Sequence, residues 1–296
     1  MSTVAETLSI AETLAIAART LDGHSDSPRL DAELLLGKVL RLTRSGLVAR
    51  GHEPVARDCE QAYASLIERR LGGAPVAYLT GLREFWSLPL LVTPAVLVPR
   101  PETELLVELA LSRLPKHGAG TAADPACSVL DLGTGSGAIA LAIASERPDV
   151  RVTGVDISPP ALEVAIQNSR NLGLTHIDWR LGSWFAPVRG ERFGMIVANP
   201  PYIAAADPAL EKLAAEPALA LCGGPTGLEA LSAIAGGAAA HLHPGGWLIV
   251  EHGSDQAPDV ARLLQSHGFA GVRSHSDFSD KPRVTLGVFH SHKEPT

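Results

Sequence analysis

Apolar residues recur along this chain at two different spacings, and the change from one to the other divides it. Over residues 1–81 they return at a roughly helical period. Leu8, Ile10, Leu14, Ile16, Ala17 and Leu21 mark one face, stopped by Asp22-Gly23. Leu30, Ala32, Leu34, Leu35, Val39 and Leu40 mark a second, entered through Ser27-Pro28, and residues 62–71 a third, closed by Gly72-Gly73. The spacing predicts a small helical bundle over 1–81. It holds no ionisable cluster of its own, so its expected use is to bind a partner protein or to cover the back of the next domain.

Residues 82–101 change character. Leu82-Arg83-Glu84-Phe85-Trp86-Ser87-Leu88-Pro89-Leu90-Leu91-Val92 has strand composition until Thr93-Pro94 breaks it, and Val96-Leu97-Val98-Pro99 follows as a second extended piece. A β-hairpin linker over 82–101 is expected. Arg100-Pro101-Glu102-Thr103-Glu104 then opens a helix with proline and acids in its first turn, as the helix dipole favours. That helix runs through Leu105, Leu106, Leu109 and Leu111 toward a Gly/Ala/Pro-rich linker at 117–126. From Ser128 strand patterns alternate with helical ones: strands at 129–132, 150–155, 177–181, 195–198 and 247–251, with helices at 138–145 and 158–171. A helix at 257–266 and two strands near 271–275 and 283–289 close the chain. Alternation of this kind marks a mostly parallel sheet, so residues 102–296 are expected to form an α/β domain.

The stretch Met195-Ile196-Val197-Ala198-Asn199-Pro200-Pro201-Tyr202 reads as a buried strand stopped by two prolines. Proline also restricts the residue before it to extended geometry, so the strand ends at Asn199, on the carboxyl edge of the sheet where such folds bind ligands. A carboxamide oxygen and backbone carbonyls at that corner suit a substrate presenting an –NH2 group, with Tyr202 as a flat wall beside it. Asn-Pro-Pro-Tyr resembles the signature of methyltransferases acting on planar exocyclic or amide nitrogens. The plainer reading is a turn after a core strand.

A second candidate site is Asp131-Leu132-Gly133-Thr134-Gly135-Ser136-Gly137, with glycines at alternate positions between a strand and a helix. A tight turn there needs positive φ, and a ligand can approach the backbone without a Cβ in the way. The spacing departs from the Gly-x-Gly-x-x-Gly dinucleotide fingerprint. Asp156 ends the second strand, where an acid can accept both ribose hydroxyls of NAD or of S-adenosylmethionine, or else cap the helix begun by Ser158-Pro159. Trp184, soon after the third strand, offers an apolar face to an adenine or else belongs to the core. In this order, glycine loop, second-strand acid and Asn-Pro-Pro-Tyr after the fourth strand match class I S-adenosylmethionine-dependent methyltransferases.

Composition and charge narrow the picture. The 296-residue chain is 46% hydrophobic and 19% charged, ordinary for a globular protein and long enough for two domains. Cys59, Cys127 and Cys222 give neither a disulfide framework nor metal-ligand spacing, and His241 and His243 beside Pro244-Gly245-Gly246 read as a solvated turn. No metal, membrane span, secretory signal or transit peptide is expected, which points to a cytoplasmic protein. Of the net charge of −7, residues 85–296 carry −6. A nucleic-acid binder normally shows a basic footprint, so no direct nucleic-acid partner is expected.

Over nearly its whole length the chain resembles the protein-(glutamine-N5) methyltransferases that act on peptide chain release factors. The resemblance is carried by Pro75-Val76-Ala77-Tyr78-Leu79-Thr80-Gly81, Arg83-Glu84-Phe85-Trp86-Ser87, Val98-Pro99-Arg100-Pro101-Glu102-Thr103-Glu104, the glycine loop, Asn199-Pro200-Pro201-Tyr202 and Val250-Glu251-His252-Gly253. It implies a Rossmann-like class I catalytic domain, joined by the β-hairpin to an N-terminal bundle that grips the substrate protein. It implies S-adenosylmethionine as donor and, as acceptor, the glutamine of the Gly-Gly-Gln motif in class 1 release factors. It also implies Gly133, Thr134, Gly135, Ser136, Gly137, Asp156, Trp184 and Asn199 at the cofactor, and Asn199, Pro200, Pro201 and Tyr202 at the glutamine. Two positions depart from the family pattern: Ser183 where an acid usually precedes Trp184, and Gly194 where an acid often precedes the fourth strand. Arg100, Glu102 and Glu251 lie where they could help close the site, or equally serve an ion pair or a helix start. Rival acceptors are a glutamine of a ribosomal large-subunit protein and the exocyclic amine of a nucleic acid. A non-catalytic module that binds a nucleotide and a partner protein is the reading from another class.

Overall fold

The computed structural model describes residues 7–116 and 125–290, so most of the linker expected at 117–126 lies outside the described residues. The chain divides into two compact units, Met1–Leu82 and Arg83–Thr296.

In the first unit the three apolar faces become the helices Ile10–Thr20, Pro28–Leu40 and Arg57–Leu71. Ser9 and Glu12 cap the first reciprocally, and Leu14, Leu21, Leu35, Leu36 and Leu47 fill a core that excludes water. The third helix starts at Arg57, before its apolar period becomes visible, because its first turn carries polar residues, including Asp58 and Glu60. Two shorter helices, Arg44–Ala49 and Val76–Thr80, escape the periodicity argument. Local chemistry makes them: Thr43 caps Gly46 N–H at 3.1 Å, and Gly81 ends the second at φ 79°. The buried Asp31 carboxylate is fully engaged, accepting from Ser25 at 2.6 Å, Ser27 at 3.1 Å and Arg70 at 2.7 Å.

The hairpin is placed differently from the expectation. It folds back within the first extended stretch, pairing β1 (Leu82–Phe85) with β2 (Leu88–Leu91), while residues 96–99 run as a strap outside both sheets. The turn residues Trp86 and Ser87 both sit at positive φ, 53° and 59°, without the Asn-Gly that usually announces such a turn. Tertiary bonds hold it instead: Trp86 N–H donates to Glu104 at 2.8 Å and its indole N–H to Glu146 at 2.9 Å.

The second unit is built on a seven-stranded sheet ordered β5-β4-β3-β6-β7-β9-β8. Here β3 is Ser128–Leu132, β4 Arg151–Asp156, β5 Asp178–Leu181, β6 Phe193–Ala198, β7 Leu242–Glu251, β8 Phe269–Ser276 and β9 Pro282–Phe289. Strands β3 to β7 run parallel; β9 is antiparallel to both β7 and β8. Strands β3 and β6 are buried at every position, as expected for strands covered on both faces. Alternate residues feed two cores: Val129, Met195 and Val197 pack with the helix Ala138–Glu146, and Leu130, Ile196 and Ala198 with the helix Glu229–Ala238. Two local features follow from packing. A Cβ on Gly194 would lie 2.5 Å from the Ala126 carbonyl oxygen, so the acid of the family pattern has no room here. Opposite Gly194, His243-Pro244-Gly245-Gly246 bulge out of β7 between the paired Leu242 and Trp247.

The strand order reverses between β3 and β6. At such a switch point the chains leave the sheet in opposite directions, opening a crevice at the carboxyl ends.

Candidate active site

A cavity of about 500 Å³ occupies that crevice. Its floor is the glycine loop after β3. Gly133 and Thr134 N–H both donate to the Val155 carbonyl (2.8 and 3.0 Å), and Gly135 N–H donates to Asp156 Oδ2 at 2.8 Å. The loop is thus laced to the end of β4. Thr134 Oγ1 donates to the wholly buried Asp131 at 2.6 Å, fixing the turn from beneath. Two glycines do different work. A Cβ on Gly135 (φ 55°) would meet nothing within 4 Å, so its backbone is bare toward the cavity, whereas one on Gly137 (φ 82°) would press on Trp179, Leu141 and Ala165. Gly137 accordingly serves helix packing, and Gly133, Thr134, Gly135 and Ser136 line the cavity.

Asp156 lies on the same wall, with Oδ1 accepting Ser158 N–H at 2.9 Å. Burial pushes its pKa up, opposed by the N–H bonds from Ser158, Gly135 and Ile157. The cap of the following helix is Ser158 itself, which accepts from Ala161 N–H at 3.3 Å. Three N–H bonds on the carboxylate's roughly four lone-pair sites leave about one for a ligand hydroxyl. Trp184 also lines the cavity, as do Ser183 and the exposed Ile157.

Asn199, at the end of β6, lines the same cavity as the glycine loop. Its Nδ2 donates to Thr103 Oγ1 at 3.1 Å, so the carboxamide oxygen is the end it can offer to a ligand. Pro201 lines the cavity too, but Pro200 and Tyr202 do not. Tyr202 packs into the core with Val250 and Leu231, and its hydroxyl donates to Glu251 at 3.3 Å, so it braces the corner and forms no exposed wall. Burial pushes Glu251 up to about 7.

The strap 95–100 and Thr103, which overlap the Val98–Glu104 motif, form another wall, and residues 217–224, which motif reading left out, form a further one. Glu216 joins them: its carboxylate accepts Val98 N–H at 3.0 Å and pairs with Arg100. Glu102, on the turn Pro101–Thr103, does not line the cavity. Behind the glycine loop, Asn168 accepts Leu91 N–H at 2.7 Å and donates to the carbonyls of Leu91 (3.0 Å) and Ser136 (2.9 Å).

Bare loop backbone, an acid with a lone pair to spare and an indole face suit the adenosyl part of a nucleoside-bearing donor. A cavity so placed on this sheet is that of a class I S-adenosylmethionine-dependent methyltransferase. Comparison with known proteins takes the assignment further. Residues 123–277 match a methyltransferase domain family and residues 12–81 the family described as PrmC N-terminal domain. Release factor glutamine methyltransferases are close relatives. That of Salmonella typhimurium is 46% identical over 267 residues, covering 90% of this chain and 94% of the relative. That of Xylella fastidiosa strain Temecula1 is 48% identical over 261 residues (88% and 92%). Among solved structures, the human Mettl16 catalytic domain with an RNA hairpin has a TM-score of 0.56 at 13% identity, covering 75% of this chain and 82% of that one. The Thermus thermophilus 16S rRNA methyltransferase RsmC has a TM-score of 0.51 at 21% identity, covering 71% and 50%. At such identities these two share the fold alone. The chain belongs to the release factor glutamine methyltransferase family. Among its described residues no helix is long and apolar enough to cross a membrane.

Proposed function

We propose that this enzyme transfers the methyl group of S-adenosylmethionine to the side-chain amide nitrogen of the glutamine in the Gly-Gly-Gln motif of class 1 peptide chain release factors. The observation that carries the reading is the position of Asn199: its carboxamide lies on the cavity of the glycine loop, with its nitrogen engaged by Thr103. The names of the relatives support the substrate class.

When bound, the donor supplies a methyl on a sulfonium, already activated for attack. Gly133, Thr134, Gly135 and Ser136 would hold it through the backbone, Asp156 through its ribose hydroxyls and Trp184 along its adenine. An amide nitrogen is a poor nucleophile because its lone pair is delocalised into the carbonyl. Asn199 Oδ1 and the Pro200 carbonyl accept its two N–H bonds, which polarises the nitrogen and aims its lone pair. Catalysis is then mostly orientation and fixed electrostatics, with no dedicated general base. Pro201 shapes the entrance and Tyr202 supports the corner from below. The bundle over 1–81 holds the release factor, the hairpin segment 82–101 links it to the catalytic domain 102–296, and the enzyme works in the cytoplasm without a nucleic-acid partner.

The test is tandem mass spectrometry of release factors, ribosomal large-subunit proteins and RNA incubated with enzyme and donor. One added methyl on the Gly-Gly-Gln glutamine is expected. Methylation confined to a ribosomal protein or to RNA would refute the acceptor.

A further inference from the structure

Asn199 is useful as an acceptor only if its carboxamide faces the right way. An amide turned over presents –NH2 to the cavity, and an –NH2 group cannot accept a proton from an acceptor amide. What fixes the orientation lies outside the Asn-Pro-Pro-Tyr corner. Thr103, 4% exposed and remote in sequence, receives the Asn199 Nδ2 proton at 3.1 Å.

A hydroxyl can accept or donate along a given line, so Thr103 alone does not settle the matter. The direction comes from what takes its own proton. Glu251 is buried at the end of β7; burial pushes its pKa up, and the Thr103 and Tyr202 hydroxyls oppose that push by favouring the charged form. Its Oε1 accepts from Tyr202 at 3.3 Å, and Oε2 is buried without a hydrogen-bond partner. A buried carboxylate oxygen short of donors draws the Thr103 proton toward itself. The Thr103 oxygen is then left to accept, and Asn199 must turn its nitrogen to it.

We propose that Thr103 is a positioning residue for methyl transfer: with its own proton drawn to the unpartnered oxygen of Glu251, it sets which end of the Asn199 carboxamide faces the cavity. The inference rests on Asn199 acting as the acceptor for the substrate amide. It gives the buried Glu251 a task in the reaction without contact to either substrate. It also explains why Tyr202 points into the core: there it is the second donor that keeps the carboxylate in place.

The experiment compares Thr103→Val, Thr103→Ser, Glu251→Gln and Asn199→Ala in the full-length enzyme. It measures kcat and KM with a purified class 1 release factor, and affinity for S-adenosylhomocysteine by calorimetry. Valine keeps the shape and removes the hydroxyl; kcat should fall about ten- to a hundredfold, as for a misoriented reacting group. KM and nucleoside affinity should change far less than kcat, because valine keeps the volume of the Thr103 wall and removes only the hydroxyl bonded to Asn199. Serine restores the hydroxyl and should recover most of kcat. Glutamine at 251 can donate to Thr103 and reverse the relay, so its loss should resemble that of valine at 103. Unchanged kcat in Thr103→Val, or serine no better than valine, overturns the positioning role. A loss shared equally by nucleoside affinity shows a merely structural residue and overturns it too. These outcomes leave the methyl-acceptor reading intact if Asn199→Ala is inactive; a fully active Asn199→Ala removes that reading first.

Discussion

Replacing Asn168 with alanine would test how far the glycine loop depends on what lies behind it. Asn168 is fully buried, and its carboxamide makes three hydrogen bonds, two to Leu91 and one to Ser136. Alanine deletes all three and leaves a small void. Leu91 is only half-buried, so water can reach its two backbone groups, but the Ser136 carbonyl lies in a buried segment. An unmet buried polar group costs about 1–3 kcal/mol, and the void adds to this, giving about 3 kcal/mol in total. The four tryptophans, Trp86, Trp179, Trp184 and Trp247, all belong to the unit Arg83–Thr296. Fluorescence during urea denaturation therefore reports on that unit alone. With an m-value of about 2–3 kcal/mol/M, the midpoint should fall by about 1 M. Affinity for S-adenosylhomocysteine should drop as well, since Ser136 loses its tether. A midpoint shift below about 0.2 M, which corresponds to an ordinary surface substitution, would refute the reasoning.

Three further outcomes follow from named contacts. Glu216→Ala unties Val98 N–H and Arg100, and with them the two walls of the cavity; S-adenosylhomocysteine affinity, read by calorimetry, should weaken by about tenfold or more, as for removing a partner of a buried charge. Gly194→Asp, which supplies an acid as in the family pattern, forces a Cβ to 2.5 Å from the Ala126 carbonyl; it should lower the fluorescence midpoint by at least as much as Asn168→Ala, and an unchanged midpoint would contradict the packing argument. Glu251 titrates near 7 when folded against an ordinary value of 4.5, so the folded state binds its proton more tightly. Its contribution to stability is present below about pH 4.5 and lost as pH rises through 7. The permanently neutral Glu251→Gln should thus gain stability relative to wild type between pH 5 and pH 8, measured by denaturation at both, and a parallel profile would count against a buried carboxylate.

The sheet was readable because its strands bury both faces and end in residues with one conformational meaning: the glycines after β3, Asp156 after β4, and the prolines after Asn199. Those endings also fixed where the cavity lies. The hairpin was misread because Trp86 and Ser87 adopt positive φ under the pull of Glu104 and Glu146, residues far away in sequence. The helices Arg44–Ala49 and Val76–Thr80 are too short to show a period. Asn168 and Glu216 carry no local signal, and Thr103 sits in a motif that does not reveal its role, since each matters through a partner some 32 to 118 positions away. Tyr202 was read as a wall because an aromatic after two prolines can face either way, and the proximity of Glu251 decides it.

The central claim is that a carboxamide oxygen on a rigid corner orients the acceptor nitrogen. Methyl transfer by Asn199→Ala to a release factor, at saturating donor and with S-adenosylhomocysteine affinity measured alongside, tests it most directly. The account predicts a rate lower by about two orders of magnitude or more with nucleoside affinity nearly unchanged, as for removal of one placed polar group at a reacting centre. A rate equal to wild type would contradict it.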